Sequence, residues 1–178
     1  MGTVEIAAAV RRVRALLEHR PRLGVHEDAP AVATWLGGLR VGTSHSNGTR
    51  ILTDLPRELG GGDGDAIEPG WLLRAGLASC LATSIALNAA AEGIELEALE
   101  VGASSRSDVR GLLAVADGNG APVGAGPFEM CLSVRIGAPG IAAERLNALI
   151  EQGYRCSPLS AALRDSVPVE LRVEIDGG

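Results

Sequence analysis

Apolar positions change their period several times along this chain, and each change marks an element. In residues 4–19, Val10, Val13, Leu16 and Leu17 recur at helical spacing with Arg11, Arg12 and Arg14 between them. That predicts an amphipathic helix ended by Pro21. Residues 31–41 hold Val32, Trp35 and a Gly37-Gly38 pair, and read as one strand with a bulge or bend. Ser46-Asn47-Gly48 is a hairpin-type turn signal, with residues 49–55 as the return strand. A loop rich in Gly and Asp covers 56–69. Residues 71–87 are then apolar nearly all round, which predicts a central helix over about 70–92 with Gly93 as its stop. Residues 96–104 and 110–116 read as two strands, and 117–127 as a loop. Residues 128–136 alternate strictly, the pattern of a half-buried strand. A helix follows Pro139 to about Gln152, Ser157-Pro158 caps and starts a short one, and 167–175 closes the chain as a strand. Helices separated by runs of strands predict an α+β fold. The expected organisation is a leader helix and linker over 1–30 and a domain over 31–178.

Composition narrows the function. The 178 residues are 46% hydrophobic but only 2% aromatic, so the core is built from Ala, Val, Leu and Ile. A net charge of -6 argues against a nucleic-acid partner, because phosphate backbones need clustered cations. The chain has no lysine, so Schiff-base chemistry is excluded. His19, His26 and His45 lack ligand-spaced partners, and no metal centre is expected. The Gly60–Asp65 loop lacks the strand–turn–helix setting of a dinucleotide site. Residues 71–91 are about long enough to span a bilayer at roughly 1.5 Å per residue. They carry Arg74, Ser79, Thr83, Ser84 and Asn88, however, and read as a core helix rather than a membrane span. Met1-Gly2-Thr3-Val4-Glu5 has no basic stretch leading into an apolar one, and a cytoplasmic location is expected.

The candidate chemistry is a thiol pair. Cys80 lies in the middle of the apolar helix, on a stripe of small residues with Gly76 and Ser84; Cys156 lies far downstream in Arg155-Cys156-Ser157-Pro158. A small packing role for Cys80 stands beside the redox one. A thiol of pKa about 8.5 is only a few per cent thiolate at neutral pH, and apolar burial lowers that further. A reactive Cys80 therefore needs a cation. Arg74 lies about 240° round the helix and faces elsewhere. Arg40, on the strand after Gly37-Gly38, is the better candidate. Cys131 shares its strand face with Glu129, Ser133 and Arg135 and reads as a partly exposed thiol outside the pair.

Pro69-x-x-Leu72-Leu73-x-Ala75-x-Leu77-Ala78-Ser79-Cys80 resembles the central helix of the OsmC/organic hydroperoxide resistance family of thiol peroxidases. Further matches keep the family order: Trp35-x-Gly37-Gly38-x-Arg40, Pro56-Arg57-Glu58-Leu59-Gly60-Gly61, Gly93-Ile94-x-Leu96-x-x-Leu99, Asp108-x-Arg110-Gly111, Cys156-Ser157-Pro158 and Pro168-Val169. The leader helix resembles that of a subgroup. The resemblance implies an intertwined α+β homodimer with the two central helices near its core. It implies Cys80 as the peroxidatic thiol, Cys156 as the resolving thiol and Arg40 as the activating cation. It also implies an organic hydroperoxide as substrate, no bound cofactor, and an external dithiol such as dihydrolipoamide as reductant. One position departs from the family: its glutamate after the helix-opening proline, which orients the arginine, is Gly70 here. Glu68, before that proline, is the candidate substitute. The missing glutamate leaves room for a reading from another class, a weakly or non-catalytic relative that binds a small apolar ligand at the dimer interface.

Overall fold

The computed structural model describes residues 2–62 and 64–175. Helix α1 spans Thr3–His19 and is followed by a 3-10 turn at Pro21–Gly24. Strands β1 (Val32–Gly37), β2 (Arg40–Ser44) and β3 (Arg50–Thr53) form an antiparallel three-stranded sheet in that order. Residues 31–41 are thus two strands of a hairpin, not one bent strand. Gly37 and Gly38 both have positive φ (110° and 59°), and the Trp35 indole donates to the Gly38 carbonyl at 2.9 Å. Glycine takes this backbone without steric cost, which turns a bend into a reversal. The turn signal at Ser46-Asn47-Gly48 lies between β2 and β3, with Gly48 at φ 91°.

Helix α2 runs over Pro69–Ala91, and Gly93 follows it at φ 73°, a left-handed stop. Strands β4 (Ala98–Arg106) and β5 (Phe128–Gly137) form a second antiparallel sheet. Between them residues 110–116 are not a strand: a short helix α3 covers Val109–Leu112. Asp108 caps it, accepting from the Arg110 amide at 2.9 Å, and a side-chain cap of that kind favours a helical turn over an extended run. Helix α4 spans Ala143–Cys156, starting about three and ending about four residues later than the sequence pattern gives. Its start is delayed by the turn at Gly140 (φ 73°). Helix α5 covers Pro158–Arg164. Ser157 occupies its N-cap position, but the hydroxyl makes no capping bond to the backbone and instead accepts from Ser160 Oγ at 3.1 Å.

The core forms where α2 meets α4 and the second sheet. Leu81, Ile85, Ala89, Ile94 and Leu149 are buried together, with Leu132, Val134 and Ile136 of β5 packed against them. The alternation of β5 therefore points its apolar set inward. α2 and α4 touch closely at Gly153, where a Cβ would fall 2.5 Å from Ile85 Cγ1 and 3.2 Å from its backbone. Two parts stay uncovered by the described residues. No helix packs extensively on the three-stranded sheet. Residues 167–175 join no sheet, and Val169 and Ile175 are 93% and 86% exposed.

Candidate functional site: the thiol helix and its arginine

Cys80 lies mid-helix on α2, half-buried, with its sulfur free. Of the small-residue stripe, Ser84 is buried, and Gly76 receives Leu159 of α5, whose Cδ1 would lie 3.0 Å from a Cβ there. The stripe thus admits a leucine side chain from the same chain. That contact sets α5 against α2 one turn before Cys80. Cys156, the last residue of α4, stands two residues ahead of α5's first turn, is exposed, and is also free. The topology therefore carries both thiols to neighbouring elements. The Cys156 sulfur accepts from Gln152 Nε2 at 3.3 Å. Cys131 on β5 is exposed and lines a cleft of about 610 Å³ with Leu77 and Leu81 of α2, Met130, Leu132 and Tyr154.

Arg40 opens β2, just after the Gly37-Gly38 reversal. Two aspartates hold it. Its Nε donates to Asp54 Oδ2 at 3.4 Å, and its Nη2 pairs with Asp65 Oδ1. Asp54 follows β3 and is only 7% exposed; it also accepts from the amides of Leu55 (2.8 Å) and Gly62 (3.3 Å). One buried carboxylate thereby fixes the arginine and the glycine-rich loop together. Asp65, by its charge, and Asp54, by its hydrogen bond, raise the Arg40 pKa above its ordinary value. Glu68 sits at the α2 N-cap position, makes no capping bond, and forms no ion pair among the described residues. Asp54 and Asp65 are the residues that sequence reasoning missed. The available signal was Asp54 itself, a carboxylate directly after the strand segment Ile51-Leu52-Thr53.

Within one chain, the Arg40 and Cys80 side chains share no hydrogen bond, and the Cys80 sulfur makes none with any described residue. Gly70 is exposed, and a Cβ there would meet only Arg74 Nη1, at 3.6 Å. Arg74 itself reaches Ser105 Oγ at 3.5 Å. Among the described residues no cluster of His, Cys, Asp and Glu could hold a metal ion.

Two antiparallel sheets and a long apolar helix make this an α+β protein, and that helix carries a half-buried thiol. The chain belongs to the OsmC family: the OsmC-like protein family matches residues 62–172. The chain is 30% identical over 143 residues to the organic hydroperoxide resistance protein of Xanthomonas axonopodis pv. citri, covering 79% of this chain and 91% of that one. Its fold matches the crystal structure of an organic hydroperoxide resistance protein from Elizabethkingia anophelis with TM-score 0.57 at 23% identity, over 79% and 90% of the two chains. It also matches an OsmC-like protein from Mycoplasma pneumoniae with TM-score 0.63 at 17% identity, over 79% and 89%.

Proposed function

We propose that the chain is a thiol peroxidase that reduces organic hydroperoxides as part of oxidative stress defence. The observation that carries this reading is the placement of two free thiols on packed neighbours, Cys80 on α2 and Cys156 at the α4–α5 junction. The Cys80 thiolate attacks a peroxide oxygen and the O–O bond breaks. The leaving alkoxide takes a proton and departs as the alcohol, and Cys80 becomes a sulfenic acid. The Cys156 thiol condenses with it, releasing water and forming a disulfide. An external dithiol of the dihydrolipoamide type then donates two electrons and two protons, restores both thiols and leaves as its own disulfide. The cytoplasm, where thiols stay reduced, suits this cycle.

The working unit in this reading is a homodimer. Only 17% of the most apolar stretch of α2 is buried within one chain, and such a helix needs further cover in water. The uncovered three-stranded sheet and the unpaired alternating tail at 167–175 ask for the same cover. A second copy supplies it and brings an Arg40 to each Cys80, with Asp54 and Asp65 doing the orienting work of the family glutamate.

One equivalent of cumene hydroperoxide should remove two hydrogens per chain, and peptide mapping should locate a Cys80–Cys156 disulfide with Cys131 still alkylatable. Cys80→Ser should abolish turnover and Cys131→Ser should not. A bridge through Cys131 would reassign the resolving thiol, and an unmodified chain would end the peroxidase reading. A second reading, binding of a small apolar ligand, draws support from the 610 Å³ cleft, whose walls include Leu77, Leu81, Met130 and Leu163. An unreactive Cys80 together with uptake of an apolar fluorophore would favour it.

A further inference from the structure

Helices α1, α2 and α4 enclose a second cleft, of about 270 Å³, whose chemistry is different. Its polar walls are Arg14 from α1, Asn88 and Glu92 from the end of α2, and Arg145, Gln152 and Arg155 from α4. Three guanidiniums face one carboxylate, and that carboxylate is engaged, since Glu92 pairs with Arg145. Two positive charges are left uncompensated in a chain of net charge -6. The Arg14 guanidinium makes no hydrogen bond or ion pair among the described residues. Arg155 Nη2 donates only to the neutral Gln152 Oε1, at 3.0 Å. Asn88 Nδ2 is buried and has no acceptor. Like charges held together and a buried donor left unpaired are both unfavourable, and an anion relieves both.

We propose that this cleft binds a small dianion of the phosphate type. The planar guanidinium fork matches phosphate oxygens bidentately, and a dianion matches the two uncompensated charges. Arg14 gives the leader helix a role: it closes the third side of the site. The site also touches the thiol chemistry. Arg155 is bonded to Gln152, and Gln152 donates to the Cys156 sulfur at 3.3 Å. A bound dianion draws Arg155 away from Gln152 and loosens the amide's hold on Cys156, so occupancy alters the reactivity of that thiol. None of this depends on the peroxidase reading.

The test uses the full chain in its native assembly, titrated calorimetrically with inorganic phosphate, and with glycerol 3-phosphate to distinguish a free ion from an esterified one. Saturable binding at one site per chain is expected, and phosphate should change the iodoacetamide alkylation rate of Cys156. Arg14→Gln and Arg155→Gln should each weaken binding about tenfold or more, the loss that accompanies a charge-assisted hydrogen bond. Arg172→Gln, whose arginine pairs with Glu170 in the tail, should leave binding unchanged. Arg14 is on an exposed helix face, so its variant decides the matter even if Arg155→Gln folds poorly. Non-saturating heats would overturn the proposal. So would an equal response to chloride at matched ionic strength, or undiminished affinity in Arg14→Gln.

Discussion

Replacing Asp54 by alanine separates its two tasks, holding a loop and holding an arginine. The carboxylate is 7% exposed and accepts from two backbone amides, Leu55 at 2.8 Å and Gly62 at 3.3 Å. A buried donor left without an acceptor costs about 1–3 kcal/mol. The Leu55 amide is the better bonded of the two, and the Gly62 amide can turn to water with its loop. The expected loss for Asp54→Ala is therefore about 1–3 kcal/mol rather than twice that. Urea denaturation at fixed protein concentration measures it. Asp54→Asn keeps an acceptor oxygen for the amides but loses the charge that faces Arg40. Asp54→Asn should therefore retain most of the stability while slowing the single-turnover reaction of Cys80 with cumene hydroperoxide about ten- to a hundredfold, as a misplaced reacting geometry does. Asp54→Glu should recover part of that rate. If Asp54→Ala melts like the parent, the buried carboxylate does not hold the loop. If Arg40→Ala slows the reaction but Asp54→Asn does not, Asp54 does not position the arginine. If Arg40→Ala changes nothing, the role proposed for Arg40 itself fails.

Other substitutions test separate contacts. Gly153→Val forces side-chain atoms into Ile85 at the closest α2–α4 approach and should cost about 1–3 kcal/mol or more in urea melts, whereas Gly124→Ala, whose Cβ meets nothing within 4 Å, should be nearly silent. Gly70→Glu has room for its Cβ and places a carboxylate beside Arg74, so it should fold normally; a faster Cys80 reaction would show that the carboxylate also reaches Arg40. The Asp108 carboxyl is held below its usual range by hydrogen bonds from the Arg110 side chain and backbone. Its contribution to the α3 cap is thus present above the ordinary carboxylate pKa and lost as pH falls through the lowered folded value, and the protection of the Arg110 amide, taken relative to its intrinsic exchange rate, should fall only in that acid range.

Periodicity located most elements because their packing is local to one face. The largely apolar α2 and the alternating β5 carry patterns that burial enforces, whereas α1 keeps its helical period with only Ala7 buried and Val13 and Leu16 exposed. The misses have local physical causes. The Gly37-Gly38 pair reversed the chain where the hydrophobic pattern suggested continuity. Asp108 capped a helical turn within a segment apolar enough for a strand, and the Gly140 turn moved α4 along the sequence. At the candidate site, Cys80 and Cys156 stood out through residue type and setting, but the partners of Arg40 did not. Asp54 and Asp65 lie 14 and 25 positions from the arginine, and no period links them to it. Only the fold of β3 and the following loop brings them together.

The unpaired edges have a consequence for the newly made chain. The β1–β2–β3 meander closes through short turns and can form within microseconds of synthesis, well before distant contacts mature. β1 and β3 are then the outer strands, Trp35 stands 71% exposed, and the alternating tail has nothing to zip onto. Open edges beside alternating apolar residues are templates for misplaced strand addition. A chain with those edges still open therefore presents the surfaces that chaperones and proteases engage.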